Sequence, residues 1–473
     1  MSKLKKQLIL SGVVLVLAIA LVVVYAVFTA GDTEDDKNVE VRDQFGVLMR
    51  GDRHFMTDPV DVNVIDSIKV VNTLDEYTLV HKGSEWTFEG VTGYDLNLER
   101  VSLLRSNTRY LLAVDLVENA DLSNLEKYGI NRKNPSVFFE VNYSKNKSYK
   151  VFVGEKTPDS RGYYACLDGR DALYILDTGV ENSVLLELND YITPSLTNPI
   201  SQNETLALTR LSIFRKGDAF LRIDMVKDAL TYGNSSTHRL TYPAQNFSTN
   251  LANFPAFLEA MASLTCEKTV LFGDRITPDA LQALGFIENA EEHICDYTLT
   301  AEYPTQTIIL HFIDKGESYL IYSENENIVV TAPKASFAFL EWELISWISS
   351  EIYLLDIFDV ASVEFSSDKK EMKFDLSGED ELEVLLDGKA CDVERFKALY
   401  KSIMYVIVVG WGEEPETSSD IMSLRIVLES GEELLYNFKT HSAVNSFYTL
   451  NGVGQFFVER DKVISLKEAF ETF

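Results

Sequence analysis

The sequence predicts an α+β fold in which an N-terminal transmembrane helix precedes three repeated units, each a mostly antiparallel sheet covered by an amphipathic helix. Residues 8–30 form an apolar run without a charge, and about twenty such residues cross a bilayer as a helix. An order of alternating segments, one helical pattern and further alternating segments then recurs along the chain. We predict a cytoplasmic tail (1–7), the helix (8–30), a juxtamembrane linker (31–60) and repeat units at 61–192, 206–350 and 356–473.

Charges on both sides of the apolar run predict its orientation. Lys5 and Lys6 precede it, whereas Asp32 and Glu34 follow it. Basic residues stay in the cytoplasm, so the bulk of the chain is expected outside a cell membrane that it crosses once. The run is longer than the 7–15 apolar residues of a cleavable signal, which favours an uncleaved anchor.

The first unit has the clearest pattern. Strands are predicted at 67–71 and 77–80, where apolar and polar residues alternate. Apolar residues at helical spacing from 98 to 111 predict the covering helix. A short helix from Asp121 follows, and Gly129 is expected to end it because glycine accepts the left-handed conformation.

The later units repeat this order with changes. In the second unit, helices are predicted at 253–264 and 337–348, and a short helix ends at Gly285. The third unit has a helix at 393–405 but lacks the short helix that ends at glycine. Two short turns, Asp168-Gly169 and Asn451-Gly452, predict hairpins and therefore antiparallel pairing.

Charge and cysteine content limit the function classes. The net charge of −30 argues against nucleic acid and against docking on an anionic leaflet, because both require basic surfaces. Cations, cationic peptides and a basic patch on a partner stay open, beside the simpler interpretation that the charge keeps the protein soluble. The four cysteines have no zinc or redox spacing. We expect free thiols, and a bridge between Cys266 and Cys295 stays open.

The common catalytic motifs are missing from the sequence, and we predict no cofactor, metal or catalytic residue. His311 lies in an alternating strand and is expected to pack there. The chain holds 73 acidic residues, so neighbouring carboxylates arise by chance. Trp411, in a Gly-Trp-Gly segment expected to be flexible, is the candidate partner contact. The alternative is that Trp411 folds back onto its own sheet.

One set of residues in the first unit forms a recognisable pattern: Trp86, Tyr94, Lys127-Tyr128-Gly129-Ile130, Pro135, Val153-Gly154-Glu155-Lys156-Thr157, Gly162-Tyr163-Tyr164 and Tyr174. By these residues the first unit resembles a bacterial family, domain of unknown function 4340. The resemblance is weaker in the other units. The resemblance implies a membrane-anchored extracytoplasmic protein associated with ABC-type transporters, and it implies no catalytic residues.

These observations predict a non-catalytic, membrane-anchored accessory or binding protein outside the cell membrane, auxiliary to an ABC-type transporter. Its expected contacts are the lipid bilayer, through residues 8–30, and subunits of the transporter. The alternatives are a cell-envelope hydrolase that uses two carboxylates, and a structural spacer. A pocket with two acids about 5–10 Å apart would favour the hydrolase.

Overall fold

The computed structural model describes residues 40–198, 201–226, 237–243, 247–289, 292–293, 295–378 and 381–473. They form two compact units. Unit 1 combines the described part of Met1–Gly90 with Leu98–Leu188, and unit 2 combines Val91–Asn97 with Asn189–Phe473. The predicted anchor at 8–30 lies outside the described residues. Among the helices that the structure describes, none combines the length and apolar character needed to cross a bilayer.

Unit 1 is built on an eight-stranded antiparallel sheet, sheet A, with the order β5-β4-β3-β7-β8-β9-β10-β6. Its strands are β3 Ile65–Val71, β4 Glu76–Lys82, β5 Glu85–Phe88, β6 Asp115–Leu116, β7 Phe138–Tyr143, β8 Lys147–Lys156, β9 Tyr163–Leu167 and β10 Tyr174–Leu176. A separate hairpin precedes it, β1 Met49–Arg50 and β2 Arg53–His54. Helix α1, Leu98–Arg109, buries Val101 and Leu104.

Unit 2 contains two larger sheets, the first of which is sheet B, with the order β14-β13-β12-β11-β18-β19-β20-β21-β15. Its strands are β11 Arg210–Arg215, β12 Asp218–Met225, β13 His238–Tyr242, β14 Phe247–Ser248, β15 Lys268–Phe272, β18 Tyr297–Glu302, β19 Thr307–Asp314, β20 Ser318–Ser323 and β21 Ile328–Pro333. The pair β16 Ile287–Asn289 and β17 Glu292–His293 is separate. The helices are α2 Gln202–Thr205, α3 Asn253–Ala262, α4 Pro278–Leu284 and α5 Leu344–Trp347.

The second sheet of unit 2, sheet C, has the order β25-β24-β23-β22-β27-β28-β29-β30-β26. Its strands are β22 Val360–Ser367, β23 Glu371–Ser377, β24 Glu383–Leu386, β25 Lys389–Ala390, β26 Val408–Trp411, β27 Asp420–Leu428, β28 Glu433–Thr440, β29 Asn445–Leu450 and β30 Val453–Glu459. The helices are α6 Val393–Met404 and α7 Arg460–Glu471. Single turns of 3-10 helix in the two units are Val62–Val64, Leu125–Tyr128, Thr178–Asn182, Leu188–Tyr191, Gly273–Arg275 and Ile357–Asp359, with a longer kinked segment at Lys334–Glu341.

The three large sheets share a strand path. In each, the first strand lies in the middle and the next strands extend the sheet to one side. The chain then forms a helix, followed by the strand at the opposite edge of the sheet. The remaining strands, which are connected as hairpins, lie between that edge strand and the first strand. Every strand pair is antiparallel, which accounts for the alternation of buried and exposed residues along the strands. Strands β6, β15 and β26 therefore lie at sheet edges.

Sheets B and C belong to one compact unit because aromatic side chains of both meet. Phe247 of β14 lies 4.4 Å, between ring centroids, from Phe456 of β30 and 6.2 Å from Tyr448 of β29. Phe456 and Tyr448 are buried. The two sheets consequently share apolar surface that neither could bury alone.

The predicted fold class is wrong. The described chain is mostly antiparallel sheet with few helices, and it clusters into two compact units instead of three sheet-plus-helix units behind a transmembrane helix. The helix predicted at 337–348 from the spacing of apolar residues is wrong, because a kinked 3-10 segment precedes the four residues of α5 there. There the spacing of Phe337, Phe339 and Trp347 reflects a buried aromatic cluster. The non-local contacts that join sheets B and C leave no local pattern in the sequence.

Candidate functional site

Trp411 lies on the edge strand of sheet C. Strand β26 pairs with β30, so that Trp411 stands opposite Phe456 and Gly410 opposite Phe457. The register shifts between Val408 and Gly410, which places a bulge at Val409. Trp411 is 46% exposed and Val409 is 36% exposed. The segment that we expected to be flexible is thus an ordered strand with two large apolar side chains in contact with water.

The two glycines that flank Trp411 make room for an aromatic ring. A Cβ atom at Gly412 would lie 2.9 Å from Cε2 of Phe457, and one at Gly410 would lie 3.4 Å from its Cδ2. The Phe457 ring stacks on His441, with 4.2 Å between ring centroids. Glycine at these positions is therefore explained by the packing of Phe457 against the strand.

The outer side of β26 is only partly covered by the chain. The backbone N–H of Val408 donates to the carbonyl of Ser350 at 2.7 Å, and Ile407 forms a bridge with Glu351. Beyond that point, no strand in the described part of the chain pairs with this side of residues 409–411, and the short helix α5 lies against β26. Backbone groups of an uncovered edge can pair with another strand.

At the corresponding edge of sheet B, residues 189–192 contact strand β15. The side-chain amide of Asn189 donates to the carbonyl of Val270 at 2.7 Å, and the Thr269 hydroxyl donates to the carbonyl of Ile192 at 3.0 Å. Lys268 also lies 3.3 Å from Asp190. The segment before sheet B thus forms hydrogen bonds to β15, as Ser350 does to Val408 of β26.

Acidic side chains follow β26 in the sequence. Glu413, Glu416 and Asp420 are exposed, and the sequence has no Lys or Arg between Lys401 and Arg425. Another acid of this loop, Glu414, forms an ion pair with Lys439, which raises the pKa of that lysine. The loop after β26 therefore carries several exposed acids and one acid that is paired with a lysine.

A cavity of about 470 Å³ lies on a face of sheet C, lined by residues of β22, β23, β27 and β28. Its charges are paired across strands: Arg425 lies 2.6 Å from Glu433 and 3.5 Å from Glu364, and Lys373 lies 3.8 Å from Glu364.

The other residues singled out from the sequence lie apart from this edge. His311 is buried, and its Nε2 lies 2.7 Å from Glu324. Asp177 accepts a hydrogen bond from the N–H of Gly179, and the side chain of Asp171 is 91% exposed. Asn451-Gly452 is the two-residue turn of a hairpin with positive φ at both residues, whereas Asp168-Gly169 begins a longer loop. Within the described ranges, no group of three His, Cys, Asp or Glu is placed to hold a metal.

All four cysteines are free, including Cys266 and Cys295. Cys295 is buried, and its thiol donates to the carbonyl of Phe286 at 3.6 Å. Burial raises the pKa of this thiol to about 11.

The raised pKa of Cys295 predicts a loss of stability in alkali. The folded state holds the thiol proton more tightly than the unfolded state. The resulting contribution of Cys295 to the free energy of unfolding is therefore complete below pH ~9 and is lost as the pH rises towards 11. The slope approaches about 1.4 kcal/mol per pH unit for one group. Urea unfolding of the wild type and of Cys295→Ala between pH 8 and 11 measures it. Equal pH slopes in the two proteins would contradict the prediction.

Three glycines of the motifs that carry the family resemblance are fixed by close backbone contacts in unit 1. A Cβ atom at Gly154 would lie 2.1 Å from the carbonyl oxygen of Tyr128, and one at Gly162 would lie 1.8 Å from that of Leu176. Gly129 adopts φ +77° and ends its helical turn, as predicted. These residues hold the loop before β7 against β8 and the start of β9 against β10, so their role is architectural.

The structure defines a protein of antiparallel sheets in which the edge strand of sheet C carries two exposed apolar side chains. The comparisons with known proteins match part of the chain to one family. Residues 86–289 match the model of the family described as Domain of unknown function (DUF4340), which confirms the resemblance predicted from the sequence. No curated protein and no solved structure matches the chain.

Trp411 was recognisable in the sequence, but the strand β26 that carries it was not predicted. The signal was present: Val406, Ile407, Val408 and Val409 form a β-branched run between the helix and Gly410. Because the predicted helix ends at Tyr405 and the segment from Gly410 is expected to be flexible, no element is predicted for residues 406–409.

Proposed function

We propose that this chain is a membrane-anchored extracytoplasmic accessory protein that binds a partner and has no catalytic role. The observation that carries the proposal is the edge strand β26 of sheet C. Its Trp411 and Val409 are exposed to water, and β26 pairs with a strand on one side only. A monomeric protein has reason to cover such an edge, so its exposure supports a binding role.

The sequence supports the proposed location of the protein at the membrane and the proposed type of partner. The apolar run at 8–30 is long enough to anchor the chain, and the change from lysines to acids across it favours an outward body. The association with an ABC-type transporter is what the family resemblance implies. Under this proposal the bilayer and the transporter subunits are the contacts of the protein.

Purification of the full chain in mild detergent tests the proposal. We expect subunits of a transporter to co-purify with the wild type, and we expect protease added to intact cells to degrade the body of the protein. A chain that lacks residues 8–30 is the matched control, and it should leave the membrane fraction. Recovery of no membrane-embedded protein, or full protection from protease in intact cells, would contradict the proposal.

A further inference from the structure

A buried histidine lies near the edge of sheet B that contacts sheet C. His238 of β13 is 4% exposed, and its ring lies 5.0 Å, between ring centroids, from the ring of Phe254 in α3. We infer that His238 is an acid-sensitive contact, and that its protonation releases the edge strands β13 and β14 of sheet B. This inference is independent of the proposed binding role.

Hydrogen bonds define the neutral form of this ring. Nε2 of His238 lies 2.7 Å from the carbonyl oxygen of Leu208. Because a carbonyl group only accepts, Nε2 carries the proton of the neutral ring. Nδ1 lies 3.0 Å from Oγ1 of Thr237, whose hydroxyl can donate to it. The ring thereby connects β13 to the segment that leads into β11.

The surroundings of the ring disfavour a positive charge. Leu208 and Phe254 are both buried, so the imidazole lies beside apolar groups. A charged ring at this position would lose hydration that it has in the unfolded chain. Burial consequently lowers the pKa of His238, and the hydrogen bond to Leu208 opposes the shift only in part.

Charged groups on the neighbouring elements have other contacts. The charged residues on α2, on the paired ends of β11, β12 and β13, and on α3 are Glu204, Arg210, Asp224, Arg239 and Glu259. Arg210 and Asp224 lie 2.6 Å apart, and Arg239 donates to Ser248. Glu204 completes the N-terminal cap of α2, and the glutamate of α3 is exposed. Burial is therefore the main influence on the charge of His238.

The lowered pKa of His238 fixes the direction of the response to pH. The unfolded chain holds the proton of this histidine more tightly than the folded chain does. The contribution of the neutral ring to stability is therefore complete well above its ordinary pKa of about 6.5. As the pH falls below that value, the contribution is lost, and the opening equilibrium constant rises by up to about tenfold per pH unit.

The position of His238 in the sheet determines what opens. Strand β13 pairs with the edge strand β14, where Leu240 stands opposite Phe247. Phe247 in turn contacts Phe456 of sheet C, with 4.4 Å between ring centroids. Release of β13 and β14 therefore also weakens the contact between sheets B and C.

Amide hydrogen exchange of the full chain in detergent tests the inference between pH 5.5 and 7.5, after correction for the intrinsic exchange rate at each pH. The comparison variant is His238→Gln, whose side-chain amide can donate to Leu208 but does not titrate. We expect opening at Leu240 and Phe247 to increase on acidification at least about fivefold more in the wild type than in this variant. Equal pH dependence in the two folded proteins would overturn the inference.

A matched control removes the other buried histidine of sheet B. His311 of β19 is 7% exposed, and His311→Gln should leave the pH dependence at Leu240 and Phe247 as it is in the wild type. The same acid response lost in both variants would overturn the assignment to His238.

Protonation of His238 can also be measured without a variant, which keeps the test valid if His238→Gln does not fold. Exchange of the C2 hydrogen of the imidazole, followed by mass spectrometry, reports the charge of each histidine. We expect His238 in the folded wild type to become charged only below pH 6.5. A ring that is half protonated at pH 6.5 or above would overturn the inference.

Discussion

Replacing Gly154 with Ala is expected to destabilise unit 1 by about 3 kcal/mol, the upper range for overpacking, because backbone must move. A Cβ atom there would lie 2.1 Å from the carbonyl oxygen of Tyr128 and 2.7 Å from Cγ1 of Ile130. Neither the carbonyl nor the strand can turn away as a flexible side chain would. Hydrogen exchange of β7 and β8 in the variant measures the loss.

Gly169→Ala is the control for this prediction. Gly169 has φ +73° but no atom within 4 Å of the added Cβ atom, so only backbone strain of about 1 kcal/mol is expected. The interpretation of the glycine motif as close packing would fail if Gly154→Ala were no more destabilising than this control.

Replacing Phe456 with Ala is expected to destabilise unit 2 by about 3–5 kcal/mol, the usual cost of removing a buried aromatic ring. Phe456 is fully buried in sheet C, and its ring contacts Phe247 of sheet B. Since the cavity would border both sheets, sheet B should lose protection as well. Hydrogen exchange at Leu211 and Ile223, which lie in central strands of sheet B, measures that effect.

The control for the second prediction lies in the same strand. Val453 is 46% exposed, so Val453→Ala should change stability by no more than about 0.5 kcal/mol. If sheet C opened in Phe456→Ala while sheet B kept its protection, the two sheets would not unfold together, and the shared core described above would be of little energetic importance.

Local patterns in the sequence were sufficient to predict those helices, strands and helix ends that depend on residues close together in the chain. Alternation predicted a strand at 67–71 within β3, and helical spacing at 393–405 matches α6. Gly129 and Gly285 end their helices in the left-handed conformation, as their positions predict. In each case the decisive contacts lie within a few residues of the chain.

Prediction from the sequence failed for features that depend on contacts between residues far apart in the chain. The shared core of sheets B and C depends on Phe247 meeting Phe456, and nothing near either residue indicates the other. The C-terminal helix α7 was not predicted, although it buries Val463, Leu466 and Phe470. Likewise, Trp411 could be recognised as an aromatic residue between glycines, but its place on a sheet edge depends on pairing with a strand much later in the chain.

The strand path has a consequence for biosynthesis. Because Val408 pairs with Val458, β26 emerges from the ribosome well before the strand that will hold it. During that interval its β-branched residues lie next to an unfinished sheet, where a chaperone or a neighbouring nascent chain could capture them. Premature termination anywhere before Val453 would make that exposure permanent, so truncated products should aggregate or be degraded rather than accumulate as folded fragments.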